Sequence, residues 1–146
     1  MAIDLKLKQD SNGDWDIDFA NGNFELTYGL DSAVYMSVFC EKRASSSQVS
    51  EPNLRRGHFT NEFSKIEGYQ VGSLFWLYTQ QAKNTDSNLR LLEGAASDGL
   101  AWMIEDNIFS KVKVKATRSI STIQLEIEPI NKLQKNSRYY NLFAAI

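Results

Sequence analysis

The stretch Ile108–Ile146, IFSKVKVKATRSISTIQLEIEPINKLQKNSRYYNLFAAI, decides the fold. In its first segment Val112, Val114 and Ala116 alternate with Lys111, Lys113 and Lys115. In its second, Ile123, Leu125 and Ile127 alternate with Thr122, Gln124, Glu126 and Glu128. The third, Arg138 to Ile146, is aromatic and apolar. Successive side chains on a strand point to opposite faces, so this period of two predicts three consecutive strands with one apolar and one charged face. Thr117-Arg118-Ser119 reads as the tight turn between the first two. That turn sets the lysines opposite Gln124 to Glu128, and opposite charges across a ladder contribute roughly 0.2–1 kcal/mol each. Pro129 cannot donate to a ladder, which places its end at an edge or bulge. Asn131 to Ser137 is a polar loop, and the last strand, terminal and apolar, is expected to serve a partner rather than the fold.

An apolar sheet face needs a cover, and the sequence supplies one immediately upstream. From Ser87 to Asp106, Leu89, Leu92, Ala96, Leu100, Met103 and Ile104 recur at spacings of three and four, the stripe of an amphipathic helix. Thr85 or Asp86 caps it and Asn107 ends it. Gly94 and Gly99 each lower helix propensity by roughly 1 kcal/mol, a cost usually met where another element approaches closely. Before it, Gly72 to Gln81 (GSLFWLYTQQ) is a short helix, apolar nearly all round and therefore buried, with Ser73 as a cap.

The N-terminal third adds strands. Ile3, Leu5 and Leu7 alternate with Asp4, Lys6 and Lys8; Trp15, Ile17 and Phe19 alternate with Asp16 and Asp18. QDSNGD (Gln9 to Asp14) is the turn of a hairpin, Asn21-Gly22-Asn23 a second turn, and Phe24 to Thr27 a short third strand or a lead-in to a helix. Asp31 to Arg43 reads as a helix, with Asp31 at the cap, Ala33, Val34, Val38, Tyr35 and Phe39 as its apolar stripe and Lys42-Arg43 suited to its C-terminus. Ala44 to Tyr69 is a long irregular segment, and loops of this length in a compact domain are functional or docked. It holds Arg55-Arg56, the chain's only adjacent arginine pair, next to Gly57. Two guanidinium forks suit carboxylate pairing, within the fold or across an interface. The fold class is therefore α+β: an N-terminal β-hairpin, central helices, and a long helix packed on a C-terminal three-stranded antiparallel sheet, with residues 1–146 forming one domain.

Composition narrows function without naming it. The 146 residues are 42% hydrophobic and 23% charged, ordinary for a soluble globular chain long enough to bury a core. A net charge of −2 argues against nucleic-acid binding through bulk charge. No run of about 18 apolar residues predicts a membrane span, and the N-terminus lacks the apolar core of a signal peptide. One cysteine and one histidine cannot assemble a Cys/His zinc site, and no cofactor motif occurs. Cys40 near a helix end, with His58 well downstream in a loop, reads as a half-buried thiol rather than a nucleophile. Asp14, Asp16 and Asp18 read as the solvated face of a hairpin, since no EF-hand spacing follows them.

Four segments in order carry a resemblance: DIDFANGNFELTYGLDSAV, EPNLRRG, GSLFWL, and GLAWMIEDN running into alternating strands. Together they resemble the baseplate wedge proteins of contractile-tailed phages, the lysozyme-like wedge subunit and its relatives in Mu-type phages. Asn21, Gly22, Gly29, Leu30, Ala33 and Val34 match the first part of the pattern. Arg55, Arg56 and Gly57 match the second; Gly72, Ser73, Leu74, Trp76 and Leu77 match the third. The resemblance implies a virion structural subunit of the tail baseplate, assembled in the host cytoplasm, that is not an enzyme; the charge and hydropathy readings above add the expectation of no nucleic-acid and no membrane partner. Its implied partners are the larger wedge subunits, met through Glu51, Arg55, Arg56 and Glu105, and the tail sheath protein. The sheath would add strands to a C-terminal edge carrying Arg138, Tyr139, Tyr140, Asn141, Leu142 and Phe143, with six copies around the tube. Many relatives carry Glu-Pro-Arg where the long helix enters the sheet; here Glu105-Asp106-Asn107 keeps only the glutamate, and His58-Phe59 stands where Mu-like relatives tend to have two tryptophans. Related domains also serve other contractile injection systems. The rival reading is a peptidoglycan-degrading lysozyme-like enzyme, which needs two carboxyl groups across a cleft, one with a raised pKa.

Overall fold

The computed structural model describes residues 3–28, 30–68, 70–81, 85–131 and 139–145. The C-terminal sheet has strand order β7-β8-β9, formed by Lys111–Arg118, Thr122–Ile130 and Tyr140–Ala145, antiparallel throughout. The expected charge pairing holds: Lys113 lies opposite Glu128 and Lys115 opposite Glu126. The Lys113–Glu128 ammonium and carboxylate stand 3.7 Å apart at the surface. The turn sits later than expected. Thr117 and Arg118 continue β7, and Ser119 N–H donates to Thr122 C=O to close a tight connection through Ile120-Ser121. Pro129 pairs with Val112 past Tyr140, the last described residue of β9 to pair with β8, so no described strand requires the N–H it lacks.

Helix α3, Asp86–Glu105, lies against β7 and buries Leu92, Ala95, Ala96, Leu100 and Met103 on Ala116, Ile123, Leu125 and Ile127. Thr85 caps it, accepting a hydrogen bond from Asn88 N–H, and Asn107 leaves it at φ +59°. Gly99 earns its place by close approach, since a Cβ there would lie 2.3 Å from Ser37 C=O. Gly94 faces open space, so contact does not explain it.

Helix α1 spans Asp31–Phe39, shorter than the helix predicted to Arg43. Glu41 to Arg43 favour helix locally, but the chain turns extended at Cys40 and Glu41 bridges to Ser73. Lys42 N–H donates to Ser73 C=O (3.0 Å) and Ser73 N–H to Cys40 C=O (2.9 Å), so tertiary hydrogen bonds replace the last helical turn. Asp31 is the first helical residue rather than the cap, and its carboxylate accepts from the hydroxyls of Thr27 (2.7 Å) and Tyr140 (2.6 Å). Gly72, at φ +95°, passes so close to Cys40 that a Cβ would meet its carbonyl oxygen. Helix α2, Phe75–Gln80, begins under the Ser73 hydroxyl, which accepts from Phe75 N–H and donates to Val38 C=O.

The N-terminal strands do not form one hairpin. β1 (Ile3–Leu5) pairs with β6 (Leu26–Tyr28), β2 (Leu7–Gln9) with β3 (Trp15–Ile17), and β4 (Phe19–Ala20) with β5 (Asn23–Phe24). Three residues join the pairs in a ring: Lys6 N–H donates to Glu25 C=O, Glu25 N–H to Asp18 C=O, and Asp18 N–H to Lys6 C=O, at 2.8–2.9 Å. Each continuous run therefore splits between two partners. The Lys6 ammonium locks the junction on the Asp18 carboxylate at 2.8 Å.

Candidate functional site

The central loop folds around arginines. Arg55 donates through Nε to Val49 C=O and through Nη2 to Ser50 C=O, both 2.8 Å, so its fork holds its own backbone. Arg43 does the same toward Arg56 C=O and Pro52 C=O. Arg56, at φ +53°, pairs with Glu41 and lays its guanidinium 4.8 Å from the centroid of the Trp76 ring. The Trp76 indole N–H donates to Lys42 C=O (2.9 Å), and Gly57 packs against Arg43. The RRG and GSLFWL segments, apart in sequence, thus meet at one cation–π staple. Glu51 and Leu54 are exposed beside it, and further along the loop Phe59, Phe63 and Ile66 are bare, each two-thirds or more exposed.

The proposed wedge-facing residues therefore divide. Glu51, Arg55 and Arg56 belong to one folded loop, with both guanidinium groups engaged inside the chain. Glu105 stands exposed at the C-terminus of α3 and, among the described residues, makes no ion pair. The residues expected to face the sheath divide by strand parity. Tyr140 and Leu142 point into the core, 7% and 3% exposed. Asn141 and Phe143 lie on the charged outer face, and Tyr139, just before β9, is exposed with its hydroxyl donating to Glu128 (3.0 Å). Arg138 lies outside the described residues. The last strand is accordingly half core, against the expectation that only a partner explains it.

Both outer edges of the sheet carry a plug that the sequence did not signal. On β7, Ala116 N–H donates to the Glu93 carboxylate of α3 (2.9 Å). On β9, Phe143 N–H donates to Gln9 Oε1 (2.7 Å) and Gln9 Nε2 donates to Phe143 C=O (2.5 Å). Both backbone groups of Phe143 thus face away from β8. Gln9 Nε2 also donates to Gly13 C=O (3.1 Å), and a Cβ on Gly13, at φ +95°, would lie 2.8 Å from Phe143 C=O. The β2–β3 hairpin sits flush on β9, and Trp15 fastens it to α1, with ring centroids 4.8 Å from Tyr35 and 5.4 Å from Phe39.

Among the described residues no three His, Cys, Asp or Glu side chains gather as metal ligands. The pocket between α3 and the Gly72–Tyr78 segment measures about 200 Å³, below the roughly 300–1,000 Å³ of ordinary ligand sites. A wider groove, about 500 Å³, crosses the outer sheet face between Lys113, Lys115, Glu126, Glu128 and Tyr139. The carboxyl groups that depart from the usual aspartate range move the wrong way for a general acid. A hydrogen bond from Lys6 holds Asp18 low, and the Asp14 backbone N–H holds Asp10 low. Burial, with Glu41 nearby, pushes the Cys40 thiol up, away from nucleophilic thiolate.

Fold and surfaces define an α+β protein in which Arg43, Arg55 and Arg56 brace the central loop and Glu93 and Gln9 cover strand edges. The chain belongs to the phage protein GP46 family, which it matches over residues 30–136, from α1 through β8. It is also similar to the Mu-like prophage FluMu protein gp46 of Haemophilus influenzae, at 26% identity over 117 residues covering 80% of this chain and 78% of that protein. It is thus a phage protein of Mu-like kind, and the relative's name denotes no enzymatic activity.

Proposed function

We propose that this protein is a structural subunit of a contractile-tail baseplate wedge, whose C-terminal sheet receives a strand from the first ring of sheath subunits. The observation that carries the reading is the C-terminal sheet itself. It ends in a short strand that is half core on one face and, at Asn141, has an outward edge free of hydrogen bonds among the described residues. Such an edge is the template that strand addition uses: main-chain hydrogen bonds give affinity and alternate side chains give specificity. The outer face beside it, with Lys113, Lys115, Glu126 and Glu128 in alternating rows, offers register through charge. The wedge-facing contact falls to the arginine-braced loop, where Glu51 and the bare Leu54, Phe59, Phe63 and Ile66 stand clear of the staple. The Asp10 and Asp18 carboxyls, held below the usual aspartate range, lack the raised pKa that a lysozyme-like general acid needs, which favours this assembly role.

Deleting β9 would remove Tyr140 and Leu142 from the core, so the test is a point change on the edge. Asn141→Pro deletes one outward N–H while leaving the inward residues in place. Baseplates carrying it are expected to accumulate without sheath, seen by electron microscopy, while the purified variant still melts cooperatively. Sheaths of normal number and length on such baseplates would overturn the reading.

A further inference from the structure

The edge that the proposed function assigns to an incoming strand already holds an amide group. The Gln9 carboxamide meets Phe143 as a neighbouring peptide unit would, with its oxygen accepting from the N–H (2.7 Å) and its nitrogen donating to the C=O (2.5 Å). A primary amide and a peptide group have the same donor and acceptor, so this pair reproduces one rung of an antiparallel ladder. We propose that the β2–β3 hairpin is an intramolecular stand-in for an extended peptide segment, and that such a segment docks on β9 by displacing the Gln9 amide from Phe143. The inference rests on the wedge reading for the segment's source, but the geometry of the guard does not.

Three observations make the hairpin a guard rather than a permanent fourth strand. The hydrogen bonds between the hairpin and β9 run through the Gln9 side chain, the Gly13 turn approaches closely, and no backbone ladder joins the two among the described residues. The flanking outward position, Asn141, is exposed and has no hydrogen bond among the described residues, so an arriving strand has a free rung to engage before Gln9 must leave. The hairpin also hangs from the body by Trp15, on Tyr35 and Phe39, a contact on its other strand that can persist while the turn shifts. An exposed edge invites pairing with any other chain, and one side-chain amide is a light cover that a longer ladder outcompetes. The guard and its strand, residues 9–13 and 140–145, both lie outside the span matched to the family.

The test uses Gln9→Met, which keeps the length and removes the amide. In the purified full chain, the Phe143 amide is expected to exchange with solvent on the order of tenfold faster than in the parent, because its hydrogen bond is gone. The Leu142 amide, which faces β8, keeps its rate. Unchanged exchange at Phe143 overturns the guard whatever the protein's role. On baseplates, Gln9→Met is expected to shorten the lag before sheath growth. An unaltered lag, with Asn141→Pro baseplates still bare, overturns the guard and leaves the wedge reading standing. Normal growth with both variants removes the wedge reading itself.

Discussion

The last strand can be divided between fold and partner by removing two neighbouring hydroxyls. Tyr140 is 7% exposed; its ring meets Tyr35 edge to face at 5.8 Å, and its hydroxyl donates to Asp31 at 2.6 Å. Tyr140→Phe keeps the ring and deletes that bond, which ties β9 to the first turn of α1. A hydrogen bond to a carboxylate contributes about 1.5–3 kcal/mol net. Asp31 retains the Thr27 hydroxyl and its favourable place at a helix N-terminus, so the lower end applies, about 1.5 kcal/mol. For a chain of this size each kcal/mol moves the melting temperature by about 3 °C, giving a loss of about 4 °C. Tyr139→Phe is the matched control: the residue is 66% exposed, and losing its bond to Glu128 should leave the melting temperature nearly unchanged. Thermal melts followed by circular dichroism, with urea titrations confirming an unchanged m-value, distinguish the two. Equal melting temperatures for the two variants would refute the assignment of β9's inward face to the core.

The two glycines of α3 should part company. Gly94→Ala, in open space on a helix, is expected to stabilise the protein by about 0.5–1 kcal/mol, whereas Gly99→Ala drives a methyl toward Ser37 C=O at 2.3 Å and should lower the melting temperature by several degrees; calorimetry on both reads the contrast. The N-terminal junction should loosen in acid. Lys6 holds the Asp18 pKa below its ordinary 3.8, so this contribution is present above that value and is lost as pH falls through the lower folded-state pKa. Amide exchange at Lys6 and Glu25 should rise in that window in the parent, and Asp18→Asn should show the looser junction already at neutral pH.

What sequence reveals here follows the range of the forces involved. The sheet and α3 were legible because burial of one face imposes a period, two for β7 and β8 and between three and four for α3. The same parity rule, applied to Tyr140-Asn141-Leu142-Phe143, separates the inward pair from the outward pair, and the apolar character of the whole strand concealed it. The early end of α1 was not legible, because Glu41 to Arg43 are good helix formers locally and lose to hydrogen bonds from Ser73, more than thirty positions away. The junction at Lys6, Asp18 and Glu25 carries no glycine or proline to announce that three strands change partners there. Gln9 had no signal at all: its meaning lies in Phe143, 134 residues on.

The arginine pair shows how a legible motif can leave its partner open. Adjacent guanidinium groups beside a glycine suit carboxylate pairing within the fold or across an interface, and Arg56 takes the carboxylate of Glu41 of the same chain. Arg55 spends Nε and one terminal nitrogen on carbonyls of its own loop. Such a pair fixes backbone shape, and shape is what displays Glu51 and Leu54 beside the staple. If a wedge partner is gripped here, the grip comes from the loop's outward side chains, and substituting Arg56 weakens it by unfolding the loop from Trp76. Leu54→Ser leaves the staple intact, so a binding loss shared by Arg56→Ala and Leu54→Ser, with the loop opened to protease only in the former, separates display from direct charge pairing.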